Sequence, residues 1–432
     1  MNAMTTVHLP FGKSRVSVEV PGERLLGVFT PREVAEAHDE AALVHAALDG
    51  PVGSPRLREM ARPGQRVVIV TSDLTRSCPS DKLLPHVLGE LSAAGVPDGD
   101  ITIVIALGLH RKMSEDELSH TVGAEVFRRV RVINHDPGRT VRVGVTTRGT
   151  PVELLRDVVE ADLRVCVGNV EFHYFAGYSG GAKAILPGCA SLATVTANHA
   201  MMVRPEAVGG QNEGNPVRED IEEAVAMIGV DFILNVLVDA EHRVVAAVAG
   251  DATAAHRKAC DMVSERGKVA IPSLADVVLA SAGGHPKDVN LYQAQKALDN
   301  AACAMRPGGI CILVAECPEG IGNRTFEEWM TQGRTPEELL RSIQRQFVLG
   351  GHKAAAIAKV ACQGRIFLVA PALAGQTLSG MEHYPDAQAA LNTALQALGS
   401  EAGVLVLPEA GSVLPQAPGR DTRCCHISAA FS

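Results

Sequence analysis

The sequence predicts an α/β protein of two lobes, with largely parallel sheets flanked by helices. Three observations carry that expectation. The chain has 432 residues, more than one hydrophobic core usually serves. Short runs rich in β-branched residues alternate with helical stretches along nearly its whole length, the pattern of βαβ units. Aromatic residues make up only 3% of it while 46% is hydrophobic, so the core is built from aliphatic side chains, as in sheets buried on both faces.

The elements follow in order. Val16, Val18 and Val20 alternate with polar neighbours, and Gly12-Lys13-Ser14 supplies a turn, so the N-terminus reads as a β-hairpin. A helix is expected next, with Thr30 as N-cap, Pro31 at its first position and Gly50 beyond its end. Strand runs then begin at RVVIV (66–70), ITIVIAL (101–107), LRVCVG (163–168) and DFILNVLV (231–238), and continue with ADVVLA (275–280), GGICILVAE (308–316), GRIFLVAP (364–371) and GVLVLPEAG (403–411). A boundary is expected in RGKVAIPSLA (266–275), dividing an N-terminal lobe, residues 1–270, from a C-terminal α/β lobe, residues 271–410. Residues 411–432, with Pro415, Pro418, Cys424 and Cys425, show no period and read as a tail.

The net charge of −9 argues against a nucleic-acid binder, which would present a basic face. No run approaches the roughly 18 apolar residues of a membrane span, and the first residues lack the apolar core of a signal peptide; a cytoplasmic protein is expected. Ten cysteines are present without a C-x-x-C pair, and Cys166 and Cys311 lie inside strand runs, which favours buried free thiols.

Ligands of open α/β sheets bind beyond the carboxyl ends of strands. Asp73, Arg76, His110 and His173 all follow strand runs directly. Arg76 suits a carboxylate or phosphate, and Asp73 is spaced either to pair with it or to orient a histidine. His110 lies in a loop that ends at a capping box of Ser114 and Glu117. Segment 177–188 surrounds Lys183 with glycines, but Ala182 and Ala184 break the phosphate-loop pattern; what remains is a backbone able to approach a ligand closely, or a solvated turn. Ser191 is a helix N-cap, and Leu192, Val195, His199 and Met202 then share an apolar face. His199 there is a core histidine or a metal ligand. In the second lobe Tyr292 and Lys296, four apart, share a helix face beside Gln293.

The order SDLTR, GLHR-x-M-[ST], FHYFAGYSGG-x-K-x-[IL]-LPG, NH and YQ-x-x-K resembles the nickel-pincer lactate racemase family, with its wider group of 2-hydroxyacid racemases and epimerases. The resemblance spans residues 5 to 410 and implies an active site in the cleft between the lobes. It also implies a nicotinic-acid-derived mononucleotide carrying nickel, made by dedicated cofactor-synthesis enzymes and tethered through Lys183, with His199 as the metal ligand. His110 and His173 match the acid/base pair, and Arg76, Tyr292 and Lys296 the substrate-holding residues. Asp73 and Gln293 match polar groups supporting the cofactor site. The reaction implied is inversion at C2 of a small 2-hydroxyacid by removal and return of the α-hydrogen as hydride, which avoids a carbanion beside an ionised carboxylate. Ala182, and Leu192-Ala193, depart from the residues many relatives carry. Two other readings stand beside this one: a zinc hydrolase using His110, His173 and His199, and a non-catalytic binding protein retaining the fold.

Overall fold

The computed structural model describes residues 3–32, 39–239, 241–399 and 401–418. Every strand run listed above forms a strand, and they assemble into two six-stranded sheets. In the first, the spatial order is Val244–Gly250, Phe232–Val238, Leu163–Asn169, Val67–Ser72, Ile101–Ala106 and Arg131–Asn134. All neighbours are parallel except Val244–Gly250, which runs antiparallel at one edge.

Alternation of side chains explains how these strands are covered on both faces. Val68 and Val70 join one core, with Cys166 and helices Pro216–Ala226 and Ala254–Gly267. Val67 and Ile69 join the other, with Val165 and helix Ser80–Ala93. The chain moves outward from Val67–Ser72 to Ile101–Ala106 on one side, then crosses back to Leu163–Asn169 on the other. The order therefore reverses between these strands, the switch point at which α/β sheets open a crevice. Asp73 and Arg76 follow one of them, and His173 follows the other.

The second sheet is parallel throughout, in the order Glu382–His383, Arg365–Val369, Met305–Val314, Ala275–Ser281, Val404–Leu407 and Leu25–Val28. Its last strand corrects the expected division of the chain. Leu25–Val28 pairs with Val404–Leu407, and the hairpin of strands Met4–Phe11 and Ser14–Pro21 packs on this lobe too. Val7, Leu9, Val18 and Val20 bury against Val277, Ile312 and Phe367, with helix Ala387–Leu398 on the same face. The hairpin's apolar face thus takes the place of a covering helix, which draws the N-terminal segment into the second lobe instead of residues 1–270 forming one unit.

Two further expectations change. The first helix spans Glu40–Asp49, capped by Asp39, whose carboxylate accepts from the N–H groups of Ala41 and Ala42. Thr30 and Pro31 lie outside any helix instead, because Phe29 and Arg32 donate to the carbonyls of Val406 and Arg266. Gly50 does follow the helix end. The expected tail begins later: Leu414–Gln416 forms a parallel strand with Lys268–Ala270, and Val413 and Leu414 are buried. Cys424 and Cys425 lie outside the described residues. The cysteines 78, 166, 189, 260, 303, 311, 317 and 362 are free thiols, most of them buried. No helix among the described residues is long and apolar enough to cross a membrane.

Candidate active site

The loops at the first sheet's switch point bring Asp73 and His110 into contact. His110 Nδ1 lies 2.6 Å from Asp73 Oδ2, and an ionised carboxylate only accepts, so the imidazole donates through Nδ1–H. The second carboxylate oxygen accepts from the Thr75 hydroxyl at 2.7 Å and the Thr75 N–H at 3.2 Å. Burial pushes the Asp73 carboxyl up, but the His110 hydrogen bond, the charges of His110 and Arg76, and the Thr75 hydroxyl outweigh it and hold it below the usual carboxylate range. Asp73 therefore pairs with the histidine rather than with Arg76. The Arg76 guanidinium forms no ion pair among the described residues.

His173 stands on the short strand Phe172–His173, which pairs with Gly177–Tyr178. Its Nδ1 accepts the Ala176 N–H at 3.3 Å, its ring stacks on Tyr174 at 5.2 Å between centroids, and Phe175 meets it edge-on. Burial, then the charges of Lys183, Arg76, Lys296 and His199, hold its basicity well below that of a free histidine. Positive charges from both lobes thus converge on it.

Lys183 lies on the 3-10 turn Gly181–Ala184 and is 9% exposed. Its ammonium nitrogen sits 5.8 Å from the Phe175 ring centroid. Burial first, then the charges of Arg218, Arg76, Lys296 and Lys353, push its amine well below the usual lysine range. The glycines around it do a different job from the one expected. A Cβ on Gly181, at φ +55°, would meet the His256 ring at 2.8 Å, and one on Gly180, at φ +75°, would meet Val170 at 2.6 Å. They let the loop pack against the protein's own core rather than keep it open to a ligand, and so seat Lys183 in the interior.

Helix Leu192–Ala200 begins at Ser191, whose hydroxyl accepts the Thr194 N–H. Val195 and His199 are buried as the spacing predicts, but Leu192 is 55% exposed, since the first turn projects past the core. A chain of hydrogen bonds fixes the state of His199. Asp220 accepts from Thr146, Thr150 and the Asn198 amide, at 2.5, 2.8 and 2.8 Å. Asn198 must then turn its carbonyl oxygen to His199 Nδ1, 3.1 Å away, so that nitrogen carries the hydrogen and Nε2 keeps its lone pair. Burial, with the charges of Lys183 and Lys353, lowers the His199 pKa to about 3. It is a neutral imidazole with a bare nitrogen, the form a metal requires. Asn198 was legible only as the neighbour of a motif histidine.

In the second lobe Asn290 caps the turn Leu291–Ala294, and Lys296 Nζ donates to Gln293 Oε1 at 2.5 Å. Lys296 is depressed well below the usual lysine range by burial and by the charges of Arg76 and Lys353. Burial also raises the Tyr292 hydroxyl to about 12, with Arg76 opposing. The charge of the first-lobe Arg76 is therefore felt at the second-lobe Tyr292 and Lys296.

Sequence reasoning missed two residues here. His352 and Lys353 open helix Gly351–Ala361 behind Gly350, at φ +89°. His352 Nδ1 accepts the Gly350 N–H at 3.0 Å, and its ring lies edge-on to His199, Phe175 and Tyr292. Burial brings the Lys353 amine down to about 7, with Asp299 opposing and Arg76 adding. The signal was GGHK (350–353), a paired glycine before two chemistry-bearing residues at a helix start.

An open cleft of about 840 Å³ lies between the lobes and is lined by Arg15, Glu171, Asp239, Arg266 and Glu409 among others, with none of the site residues above. Its lining includes Glu171 and Phe172, the residues that precede His173 in the chain. Among the described residues no three His, Cys, Asp or Glu side chains are grouped to hold a metal ion, so His110, His173 and His199 do not make the zinc triad of the hydrolase reading.

These features define a two-lobed α/β protein with His110, His173, Lys183 and His199 on the first lobe and Tyr292, Lys296, His352 and Lys353 on the second, in contact where Lys353 lies by Tyr174 and His352 by Phe175 and His199. The chain matches the family models for the lactate racemase N-terminal domain over residues 11–210 and the lactate racemase C-terminal domain over residues 271–414. It is 32% identical to the lactate racemase of Thermoanaerobacterium thermosaccharolyticum over 426 residues, 95% of this chain and 99% of that one. It is 33% identical to the lactate racemase of Lactiplantibacillus plantarum over 346 residues, 78% of this chain and 81% of that one. The solved apoprotein of the Thermoanaerobacterium enzyme superposes with a TM-score of 0.88 at 31% identity, covering 95% of this chain and 100% of that one. A Thermotoga maritima protein shares the fold, with a TM-score of 0.65 at 17% identity over 88% of this chain and 98% of its own. The chain belongs to the lactate racemase family and is an isomerase.

Proposed function

We propose that this enzyme racemises or epimerises a small 2-hydroxyacid at C2, lactate being the first candidate, with a nickel-pincer nucleotide tethered through Lys183 and His110 and His173 as the acid/base pair. The observation that carries this reading is the Asp73–His110 pair, 2.6 Å apart, together with His173 and the buried Lys183 under the electrostatic influence of Arg76 from the first lobe and Lys296 from the second. Arg76 and Lys296 are half-buried and without a carboxylate partner among the described residues, and an anionic substrate supplies one.

The residues present fit the cofactor. Burial pushes the Lys183 amine well below the usual lysine range, which favours the nucleophilic form able to make the tethering bond, and a bare His199 Nε2 can complete the coordination of a metal that brings its other donors with it. When bound, the group would supply an electrophilic carbon as hydride acceptor and donor for the α-hydrogen. Arg76 grips the substrate carboxylate, with Tyr292 and Lys296 closing on it from the second lobe. Held as the Nδ1–H tautomer by Asp73, His110 offers its Nε2 lone pair to the hydroxyl proton. The substrate carboxylate offsets the cations that depress His173 and raises its basicity, so it can carry a proton on the opposite face. Burial of the site between lobes excludes water and retains the planar oxoacid.

The test is intact mass and nickel content after co-expression with the cofactor-synthesis enzymes, followed by enantiomer interconversion across short 2-hydroxyacids. An added mass lost in Lys183→Ala, and racemisation abolished in both His110→Ala and His173→Ala, are expected. Full turnover in either histidine variant would rule out the two-base mechanism.

A further inference from the structure

We propose that Lys353 is a positioning residue that clasps the lobes together between Tyr174 and Tyr292 and so sets where His173 stands. The proposal rests on the assignment of His173 as a proton carrier. Lys353 is 4% exposed, and its ammonium nitrogen lies 4.9 Å from the Tyr174 ring centroid and 4.9 Å from that of Tyr292. Tyr174 belongs to the loop of the first lobe and Tyr292 to the second. The helix carrying Lys353 is rooted in the second lobe's core through Ala354, Ala355, Ile357 and Ala358. The cation therefore reaches out of one lobe and takes an aromatic ring from each.

Its other contacts hold it in place. Nζ donates to Gln295 Oε1 at 3.1 Å, and Gln295 in turn donates to Asp299 Oδ2 at 2.7 Å. Asp299 is thus reached through an amide rather than directly, which leaves the ammonium's remaining directions to the rings. A cation held over rings away from water gains more from them than an exposed one does. Parting the lobes would strip it of one ring. Tyr174 is also the ring on which His173 stacks, at an interplanar angle of 19°, so holding Tyr174 against the second lobe holds the imidazole beside it.

Hydrogen exchange of the full chain at pH 6, where Lys353 is protonated, tests the clasp without reference to chemistry. Residues 172–178 should lose at least tenfold in protection in Lys353→Met and in Tyr174→Leu, and keep it in Tyr174→Phe, which retains the ring. Wild-type protection in both Lys353→Met and Tyr174→Leu would overturn the clasp, as would a Tyr174→Phe variant as exposed as Tyr174→Leu. In cofactor-loaded enzyme Lys353→Met should lower kcat at least tenfold with KM within threefold of wild type; an unchanged kcat overturns the positioning role. Should His173→Ala keep its turnover while Lys353→Met still loses protection, the His173 assignment fails and the clasp stands.

Discussion

Asp73→Asn is the most demanding perturbation of the site. The carboxylate receives donors alone: His110 on one oxygen, the Thr75 hydroxyl and N–H on the other. An amide has a single acceptor oxygen. If that oxygen stays with His110, the new NH₂ faces the Thr75 N–H, and a buried donor is left unsatisfied. If it turns to Thr75, the NH₂ faces His110 Nδ1 and forces that nitrogen to accept. The hydrogen then moves to Nε2, and the nitrogen meant to take the substrate's proton has no lone pair. The first outcome costs the difference between a charged and a neutral hydrogen bond, about 1–2 kcal/mol, or roughly 5- to 30-fold in rate. The second inverts the tautomer, for which a catalytic triad loses about 10⁴ in kcat on the same substitution. The single Asp73 oxygen that accepts both Thr75 donors favours the second. Turnover of each enantiomer of lactate by cofactor-loaded enzyme, followed by chiral chromatography, should therefore fall at least 100-fold in both directions, with the fold and Lys183 attachment intact. A variant within threefold of wild type would refute the reasoning that Asp73 sets the His110 tautomer.

Other outcomes follow from the same geometry. Replacing Asn198 with Ala frees the His199 ring to take either tautomer, so nickel content of loaded protein should drop about 10- to 100-fold, read by metal analysis. Because the Lys353 pKa falls from its ordinary value to about 7 on folding, the unfolded chain binds the extra proton between pH 7 and 10.5. The cost of burying the charge is fully present below pH 7 and is relieved as pH rises to the unfolded value, at about 1.4 kcal/mol per unit. Urea unfolding should accordingly show the stability of Lys353→Met relative to wild type falling from pH 7 to pH 10. Leu9→Ala removes a fully buried side chain of the hairpin and should cost about 2–5 kcal/mol, seen as a lower thermal midpoint; a loss below 0.5 kcal/mol would mean that the hairpin is not part of the second lobe's core.

Much of the fold was legible because burial on both faces leaves a local trace. Runs such as RVVIV and ITIVIAL are apolar whichever face they present, so each strand announced itself without knowledge of its neighbours. Of the strands that escaped notice, some pair with near neighbours, as Thr140–Val145 does with Pro151–Leu155, and others pair remotely. Leu25–Val28 carries few distinguishing residues, and it is a strand because Val404–Leu407, nearly the whole chain away, offers it an edge. Thr30 failed as a cap for the same reason: the backbone there is claimed by Val406 and Arg266.

The site divides along a similar line. His110, His173, Lys183 and His199 stood out as residue types set after strands or at a helix start, and their order carried the family resemblance. Their chemical states did not. Those depend on partners brought in by folding: Asp73 and Thr75 for His110, Asn198 and its Asp220 network for His199, and the cations of both lobes for His173 and Lys183. His352 and Lys353 passed unremarked because a histidine and a lysine after a glycine pair are ordinary until two tyrosines from different lobes meet around them.

By itself, then, the sequence determined the α/β class, the parallel strands and the motif residues, since these depend on periodicity and on side-chain type at short range. Tertiary structure alone decided that the N-terminal hairpin serves the second lobe, that the glycines seat Lys183 instead of opening its loop, and which nitrogen of each histidine carries the hydrogen. Hydrogen-bond partnership and burial are properties of neighbours in space, and neighbours in space are what a linear sequence does not list.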